Sequence, residues 1–334
     1  MKRELPGITI VIPTYNEENR IEQCLTSVFK QNYPKDKLEV FVVDDTSKDK
    51  TVEIAKKFPV KIFTHKAKHG EYGKMIGFKK STKELFLYLD ADIILFKRDF
   101  LKKLTYPLLK DETIVASFTD EKARKDDAAL LRYLSFDFLQ RDQLYQVFSP
   151  TLKNVTEEKT KEYIVCRYRD GNILPAGMCL YRRAVLSSIV DKFDMFLELD
   201  FLVLLTKNGF DRFAYVPNAG LIHKHVSSII ELAKKRIRNV KKVYLLHVDN
   251  KLFVWVDLSR WSNVLKLLLW IMYANAVIPS ILTGVYKSIK HRDLAGLYEP
   301  VVNVVITDVI IWSFLTSHKG RNLFLSAANK LLKF

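Results

Sequence analysis

The first third of the chain alternates between two hydrophobic periods. Short β-rich runs occur at "GITIVIP", "LEVFVVDD", "VKIFTH", "ELFLYLD" and "TIVASF". Between them lie stretches of helical period such as "EENRIEQCLTSVFKQN", which sets Ile21, Leu25 and Val28 on one face. Strand alternating with helix predicts an α/β fold with a doubly wound, mostly parallel sheet. Ligands of such sheets sit beyond the carboxyl ends of the strands, near the switch in strand order. Thr14-Tyr15-Asn16-Glu17 follows the first run, Asp44-Asp45-Thr46-Ser47 the second, and Asp90-Ala91-Asp92 the fourth. Aspartates at a strand end start turns and cap helices, and that explains any one loop. Three carboxylate-bearing loops on one sheet edge predict a ligand site. No glycine-rich phosphate loop is present. A phosphate bound here would therefore need a metal, and Asp90 and Asp92 are candidate ligands for Mg2+ or Mn2+, because hard cations take oxygen donors. The fourth strand is expected to end at Asp90.

The pattern changes towards the C-terminus. "LLLWIMYANAVIPSILTGVY", residues 267–286, is twenty residues without a charge, bracketed by Lys266 and Lys287. That length spans a bilayer core, and Pro279 is better tolerated in a membrane helix than in a soluble one. A second run, residues 300–316, is interrupted only by Asp308. About two transmembrane helices are expected, a buried helical hairpin being the alternative. Ahead of them, eight basic residues between His223 and Lys251 face only Glu231 and Asp249. Ile230, Ala233, Ile237, Val240 and Tyr244 recur there at helical spacing. The segment reads as a basic amphipathic helix at the headgroup plane, or else as a solvated charged face. The expected domains are therefore 1–225 catalytic, 226–262 interfacial and 263–334 transmembrane.

The formal charge of +16 and pI near 9.5 require an anionic partner. Clustering of cations beside an apolar run favours anionic membrane lipids, with no nucleic acid expected. The three cysteines, Cys24, Cys166 and Cys179, are odd in number and lack metal-site spacing. They read as reduced thiols. A multi-pass protein of the cell membrane is expected, with its larger domain on the cytoplasmic side.

"VIPTYNEENRIEQCLTSVFKQNYP", "VVDDTSKDKT" and "LFLYLDADI" resemble, in order and spacing, the opening signatures of the family-2 inverting glycosyltransferases of the GT-A fold. The resemblance continues through "ILPAGMCLYRRAVL" and "LELDFLVLLTKNGFDRFAYVPNAGLIHKH", covering roughly residues 7–225. It implies a nucleoside-diphosphate-sugar donor and inversion at the anomeric carbon. It implies that Thr14, Tyr15, Glu17, Asp44 and Asp45 surround the nucleotide. Asp90 and Asp92 would contact the donor ribose and a divalent metal on the diphosphate, with Lys74 adding positive charge nearby. The family's general base lies in a Glu-Asp pair ahead of the "NGF" loop. Counting back from Gly209 places Glu198 there, with Asp200 the second candidate. The Gln-x-x-Arg-Trp motif of the cellulose-synthase-like branch is not matched: "KKRIRN" offers only arginines, which argues against processive polymer synthesis. Arg236 and Arg238 are candidates for an acceptor phosphate. Similarity around residues 69–93 to polyprenyl-phosphate-mannose synthases favours GDP-mannose over a UDP-hexose. The expected activity is metal-dependent transfer of a hexose to a lipid-linked saccharide. The alternatives are transfer to a polyprenyl phosphate, or a non-catalytic membrane scaffold retaining the fold.

Overall fold

The computed structural model describes residues 4–331 apart from 68, 138, 140–142, 176, 225, 248, 250, 258 and 259. The strands are β1 (Ile8–Thr14), β2 (Leu38–Asp44), β3 (Lys61–Thr64), β4 (Leu85–Tyr88), β5 (Ile93–Leu95), β6 (Ala116–Phe118), β7 (Thr156–Lys159), β8 (Ile164–Arg167), β9 (Leu180–Arg182), β10 (Arg212–Tyr215) and β11 (Leu221–His223). The helices are α1 (Ile21–Phe29), α2 (Thr51–Ala55), α3 (Gly70–Lys80), α4 (Phe100–Lys110), α5 (Ala129–Leu134), α6 (Gln143–Phe148), α7 (Leu152–Val155), α8 (Arg183–Val190), α9 (Glu198–Lys207), α10 (Ile229–Arg238), α11 (Trp261–Asn275), α12 (Val277–His291), α13 (Glu299–Leu315) and α14 (His318–Leu331). The five runs read as strands are β1, β2, β3, β4 and β6.

The chain forms two compact units. The first comprises Met1–Lys122 and Pro150–Lys224. Its nine-stranded sheet has the order β3-β2-β1-β4-β9-β6-β10-β8-β7. The half β3-β2-β1-β4 is parallel throughout, as alternating strands and helices require. β9 then inserts antiparallel between β4 and β6, and β8 and β7 extend the far edge antiparallel. Every residue of β1 is buried, which suits a continuous apolar run covered on both faces. Helix α3 lies close on this strand because Gly77 has no side chain. A Cβ there would fall 2.4 Å from Val11 Cγ1.

The second unit comprises Ala123–Ser149 and His225–Phe334. Residues 123–149, which lie inside the expected 1–225 domain, group with the C-terminal helices because Leu130, Tyr133 and Leu134 of α5 share a core with Leu232, Trp270, Val302 and Ile306. Residue 225, the expected boundary, lies outside the described residues. Leu232 and Val240 are buried and α10 packs on α13. Of the apolar face expected to rest on a membrane, Val240 is buried, Ala233, Ile237 and Tyr244 are half-buried, and Ile230 remains 64% exposed.

The uncharged run 267–286 is not one rod. It belongs to α11 and α12, whose axes differ by 79°. Ala276 leaves the helical region at φ −81°, ψ 84°. Pro279 sits third in α12, where its missing N–H has no helical partner to lose. Among the described residues one helix, Leu294–Leu315, is long and apolar enough to cross a bilayer.

Alanine is the better helix former at Gly77 by about 1 kcal/mol. The collision with buried Val11 should outweigh that, since overpacking a core costs roughly 1–3 kcal/mol. Gly77→Ala is therefore expected to lower the urea midpoint. An unchanged or raised midpoint would mean that α3 can move off β1 freely.

Candidate functional site

The parallel pairing fixes where the loops emerge. Thr14, at the end of β1, lies opposite Asp44, at the end of β2, and β4 runs beside β1 in the same direction. The three expected loops therefore share one sheet edge. β4 stops at Tyr88, two residues before the expected end, so Asp90 and Asp92 occupy the turn into β5.

Two of these loops hold strained backbone. Asn16 has φ 54° and Thr46 φ 56°, both left-handed. Asparagine tolerates this conformation, whereas β-branched threonine is an outlier there. Asp44 organises the loops: it accepts hydrogen bonds from the Thr14 hydroxyl at 2.9 Å, the Ser47 amide at 2.8 Å and the Ser47 hydroxyl at 2.5 Å. Asn16 and Ser47 bond across, and the Glu17 amide donates to Thr51 Oγ1 at 2.7 Å. Asp45 is buried, and its Oδ1 faces His65 Nδ1 at 3.7 Å without a hydrogen bond among the described residues. A buried acceptor left open costs free energy until a ligand donates to it. Tyr15 projects from the first loop, 56% exposed. Burial raises the Glu17 pKa, opposed by Arg20 and reinforced by Asp92 and Asp90.

Asp90 and Asp92 do not stand alone. The short strand β11 pairs antiparallel with β5, setting His223 opposite Ile93. This brings His223 Nε2 to 3.2 Å from Asp92 Oδ1, and its Nδ1 to 3.2 Å from Glu121. One ligand atom from each of Asp90, Asp92 and His223 lies within 4.8 Å of the others. Two carboxylates and an imidazole suit a divalent cation of the Mg2+ or Mn2+ kind, with the carboxylates favouring hard ions. Burial alone would lower the His223 pKa, but Glu121 and Asp92 overcome it and raise the value to about 9.

On the other side of Asp90 stands Lys74, buried, with its ammonium 3.3 Å from Asp90 Oδ1 and 3.2 Å from Glu71 Oε1. It also lies 4.1 Å from the centre of the Tyr88 ring. Burial works against its charge, and Asp90, Glu71 and Glu198 restore it, so its pKa rises. The Tyr88 hydroxyl bonds Glu198 Oε2. Glu198, the first residue of α9, also accepts from the Tyr181 hydroxyl at 2.8 Å and the Met178 amide at 3.1 Å. Burial raises its pKa, while the tyrosine hydroxyls, Lys74 and the Cys179 amide hold the rise in check. Asp200 is buried one half-turn further along α9.

The first unit thus gathers Thr14, Tyr15, Glu17, Asp44, Asp45, Lys74, Asp90, Asp92, Glu198 and Asp200. Arg236 and Arg238 belong to α10 of the second unit, where the Arg236 guanidinium faces the Tyr145 ring at 5.8 Å. Sequence reasoning missed His223, Glu121, Glu71, Tyr88 and Tyr181. His223 stands in the quoted "GLIHKH", but only the β5–β11 pairing reveals its neighbours. Tyr88 and Tyr181 stand in the quoted "LFLYLDADI" and "ILPAGMCLYRRAVL", where neither was singled out.

Carboxylates in place of a glycine-rich loop, beyond a parallel half-sheet backed by antiparallel strands, make this a GT-A domain of the glycosyltransferase class. Residues 9–190, more than half of the chain, match glycosyl transferase family 2, and the chain belongs to that family. It is 38% identical over 98 residues to glycosyltransferase AglE of Haloferax volcanii, covering 28% of this chain and 32% of that protein. It is 34% identical over 114 residues to a dolichyl N-acetyl-α-D-glucosaminyl phosphate 3-β-D-2,3-diacetamido-2,3-dideoxy-β-D-glucuronosyltransferase of Methanococcus voltae, covering 31% of this chain and 35% of that protein. The matches span about a third of the length of these curated relatives. Among solved structures, the mannosyltransferase PcManGT of Pyrobaculum calidifontis, in complex with GDP-mannose and Mn2+, shares the fold with TM-score 0.50 and 16% identity, over 99% of this chain and 81% of that one.

The raised His223 pKa has a stability consequence. Protonated His223 between two carboxylates stabilises the metal-free fold fully below its ordinary value near 6.5, and this contribution is lost as pH rises through about 9. Thermal unfolding of the metal-free protein should therefore fall between these pH values, and His223→Gln should flatten the decline. An equal decline in both proteins would count against the charged triad.

Proposed function

We propose that the protein transfers a hexose, with inversion, from a nucleoside-diphosphate sugar to a lipid-linked saccharide at a membrane. The observation that carries the reading is the continuous line Asp92, Asp90, Lys74, Tyr88, Glu198, which joins a candidate metal site to a candidate base on one sheet edge. GDP-mannose is favoured as donor over a UDP-hexose, on resemblance to polyprenyl-phosphate-mannose synthases. The lipid-carried acceptor is supported by the Methanococcus voltae relative, whose name describes a dolichyl-linked acceptor. The buried thiols fit a catalytic unit on the cytoplasmic side.

Asp90, Asp92 and His223 would hold a divalent cation, Mg2+ or Mn2+, which when bound would supply positive charge for the departing diphosphate. Asp45, with Thr14, Glu17, Asp44 and exposed Tyr15, would receive the nucleoside. Lys74 pairs with Asp90 and holds it in place. Glu198 takes the proton of the acceptor hydroxyl as the new C–O bond forms at the anomeric carbon. The old C–O bond breaks with its electron pair leaving on the diphosphate. A pKa raised by burial suits a carboxylate to this task near neutrality. Asp200 is the second candidate base. Asp308 has no assigned part in this chemistry.

Two measurements test the reading. Asp92→Ala should abolish turnover while the protein still folds, with the metal-free unfolding midpoint lowered below about pH 9 because His223 loses one of its two carboxylates. Exhaustive chelation of the wild type should also abolish turnover, reversibly on adding Mn2+ or Mg2+. Turnover that survives chelation would exclude the metal assignment.

Glu198→Gln should lower kcat by roughly 10²–10⁴-fold with donor binding almost unchanged, if a sugar hydroxyl is the acceptor. A lipid monophosphate is already an anion and needs no base. Near-silent Glu198→Gln and Asp200→Asn variants would therefore shift the acceptor to a polyprenyl phosphate, with Arg236 or Arg238 its partner.

A further inference from the structure

We propose that α11 and α12 lie in the plane of a membrane, their apolar faces sunk into one leaflet of an anionic bilayer, instead of crossing it. This rests on the membrane reading above and adds the manner of attachment.

The polarity of α12 is inverted, and α11 exposes an apolar face as well. On α12 the inward face carries Ser280 and Gly284, both buried, and Lys287, which pairs with fully buried Glu299. Gly284 approaches the turn before α13 so closely that a Cβ would fall 2.8 Å from the Gly296 carbonyl oxygen. Glu299 also accepts from the Tyr133 hydroxyl at 2.7 Å and the Gln143 amide at 3.0 Å. The outward face presents Ile278, Ile281, Leu282, Val285 and Ile289, all exposed and at helical spacing. On α11, Trp270 and Ala274 face inward, while Trp261, Leu265, Leu268, Leu269 and Met272 are exposed. A helix packed in a water-soluble protein turns its apolar stripe to the core. An outward apolar face of this extent marks a partner.

The polar residues decide how that partner is met. Each arm has 15 residues, roughly 22 Å at a helical rise of about 1.5 Å per residue. Charges or polar groups stand at three points along the pair: Arg260 and Lys266 near its start, Asn275 at the bend, and Lys290 and Arg292 at its end. The bend also holds the carboxylate of exposed Asp308, whose Oδ1 accepts from Asn275 Nδ2 at 3.5 Å. A bilayer offers two polar surfaces, separated by about 30 Å of hydrocarbon. A crossing would satisfy the ends and leave the bend inside the hydrocarbon. An in-plane pair keeps all three points at headgroup depth. Lys234, Lys235, Arg238, Lys241 and Lys242 of the same unit supply the complement to anionic headgroups.

The test uses the full chain carrying Ser262→Cys, Asn275→Cys or Lys290→Cys, each at an exposed position; the three native cysteines are buried. In sealed membrane vesicles from expressing cells, a membrane-impermeant maleimide is expected to label all three sites from one side. Labelling of positions 262 and 290 from opposite sides would establish a crossing and overturn the proposal, leaving membrane attachment itself intact. Labelling of both ends from one side with position 275 protected would establish a re-entrant dip and overturn it equally. Purified protein should float with phosphatidylcholine–phosphatidylglycerol vesicles. Ile278→Glu combined with Leu282→Glu should weaken that binding at least about tenfold, with the thermal unfolding midpoint unchanged. Protein that does not float, and runs as a dimer without lipid, would assign the face to a second copy and overturn the membrane reading as well.

Discussion

Like charges held at one buried edge repel, and a single ammonium reconciles them here. Lys74 touches Asp90 and Glu71 and acts electrostatically on Glu198, while its stem rises from a helix seated on β1. A buried cation is itself unfavourable unless paired, so each side of this cluster makes the other tolerable. The arrangement works only because α3 comes close to the sheet. Gly73 and Gly77 allow that approach, with Gly73 lying near both Pro13 and His65. Packing of a helix on a strand and the ionisation of the site are therefore one constraint.

The same edge has a second counter-charge at its other end. His223 sits between Asp92 and Glu121, and its protonated form balances them in the absence of an ion. A divalent cation and a proton would compete for this position, because an imidazole must be neutral to ligate. Glu198 is held differently, by tyrosine hydroxyls and backbone amides that fix the carboxylate without neutralising it. Within one edge, environment separates three kinds of carboxylate. Asp44 organises loops, Asp90 and Asp92 face cationic side chains, and Glu198 is held by hydroxyls and amides.

The second unit follows another rule. Its interior contains Glu299, Asn303, Thr307 and Ser280, and much of its surface is apolar. Asn303 donates to Ser280 and Glu299 beside an apolar core of Leu232, Trp270, Val302 and Ile306, so this unit buries polar and apolar groups together while apolar side chains of α11 and α12 face outward.

The parallel half of the sheet, the three acidic loops and the position of Glu198 were legible in the sequence. They depend on local periodicity and on short motifs whose residues act near their neighbours in the chain. Tertiary structure alone decided the rest. His223 meets Asp92 through a pairing between strands more than a hundred residues apart, and short strands such as β5 and β11 carry no period to read. Tyr88 and Tyr181 became hydrogen-bond donors to Glu198 because β9 inserts antiparallel beside β4. The uncharged run 267–286 has the composition of a span, but composition does not register a bend. One non-helical residue, Ala276, turns the run through 79°. Residues 123–149 joined the C-terminal unit for a similar reason: apolar side chains record that they will be buried, and not against which partner.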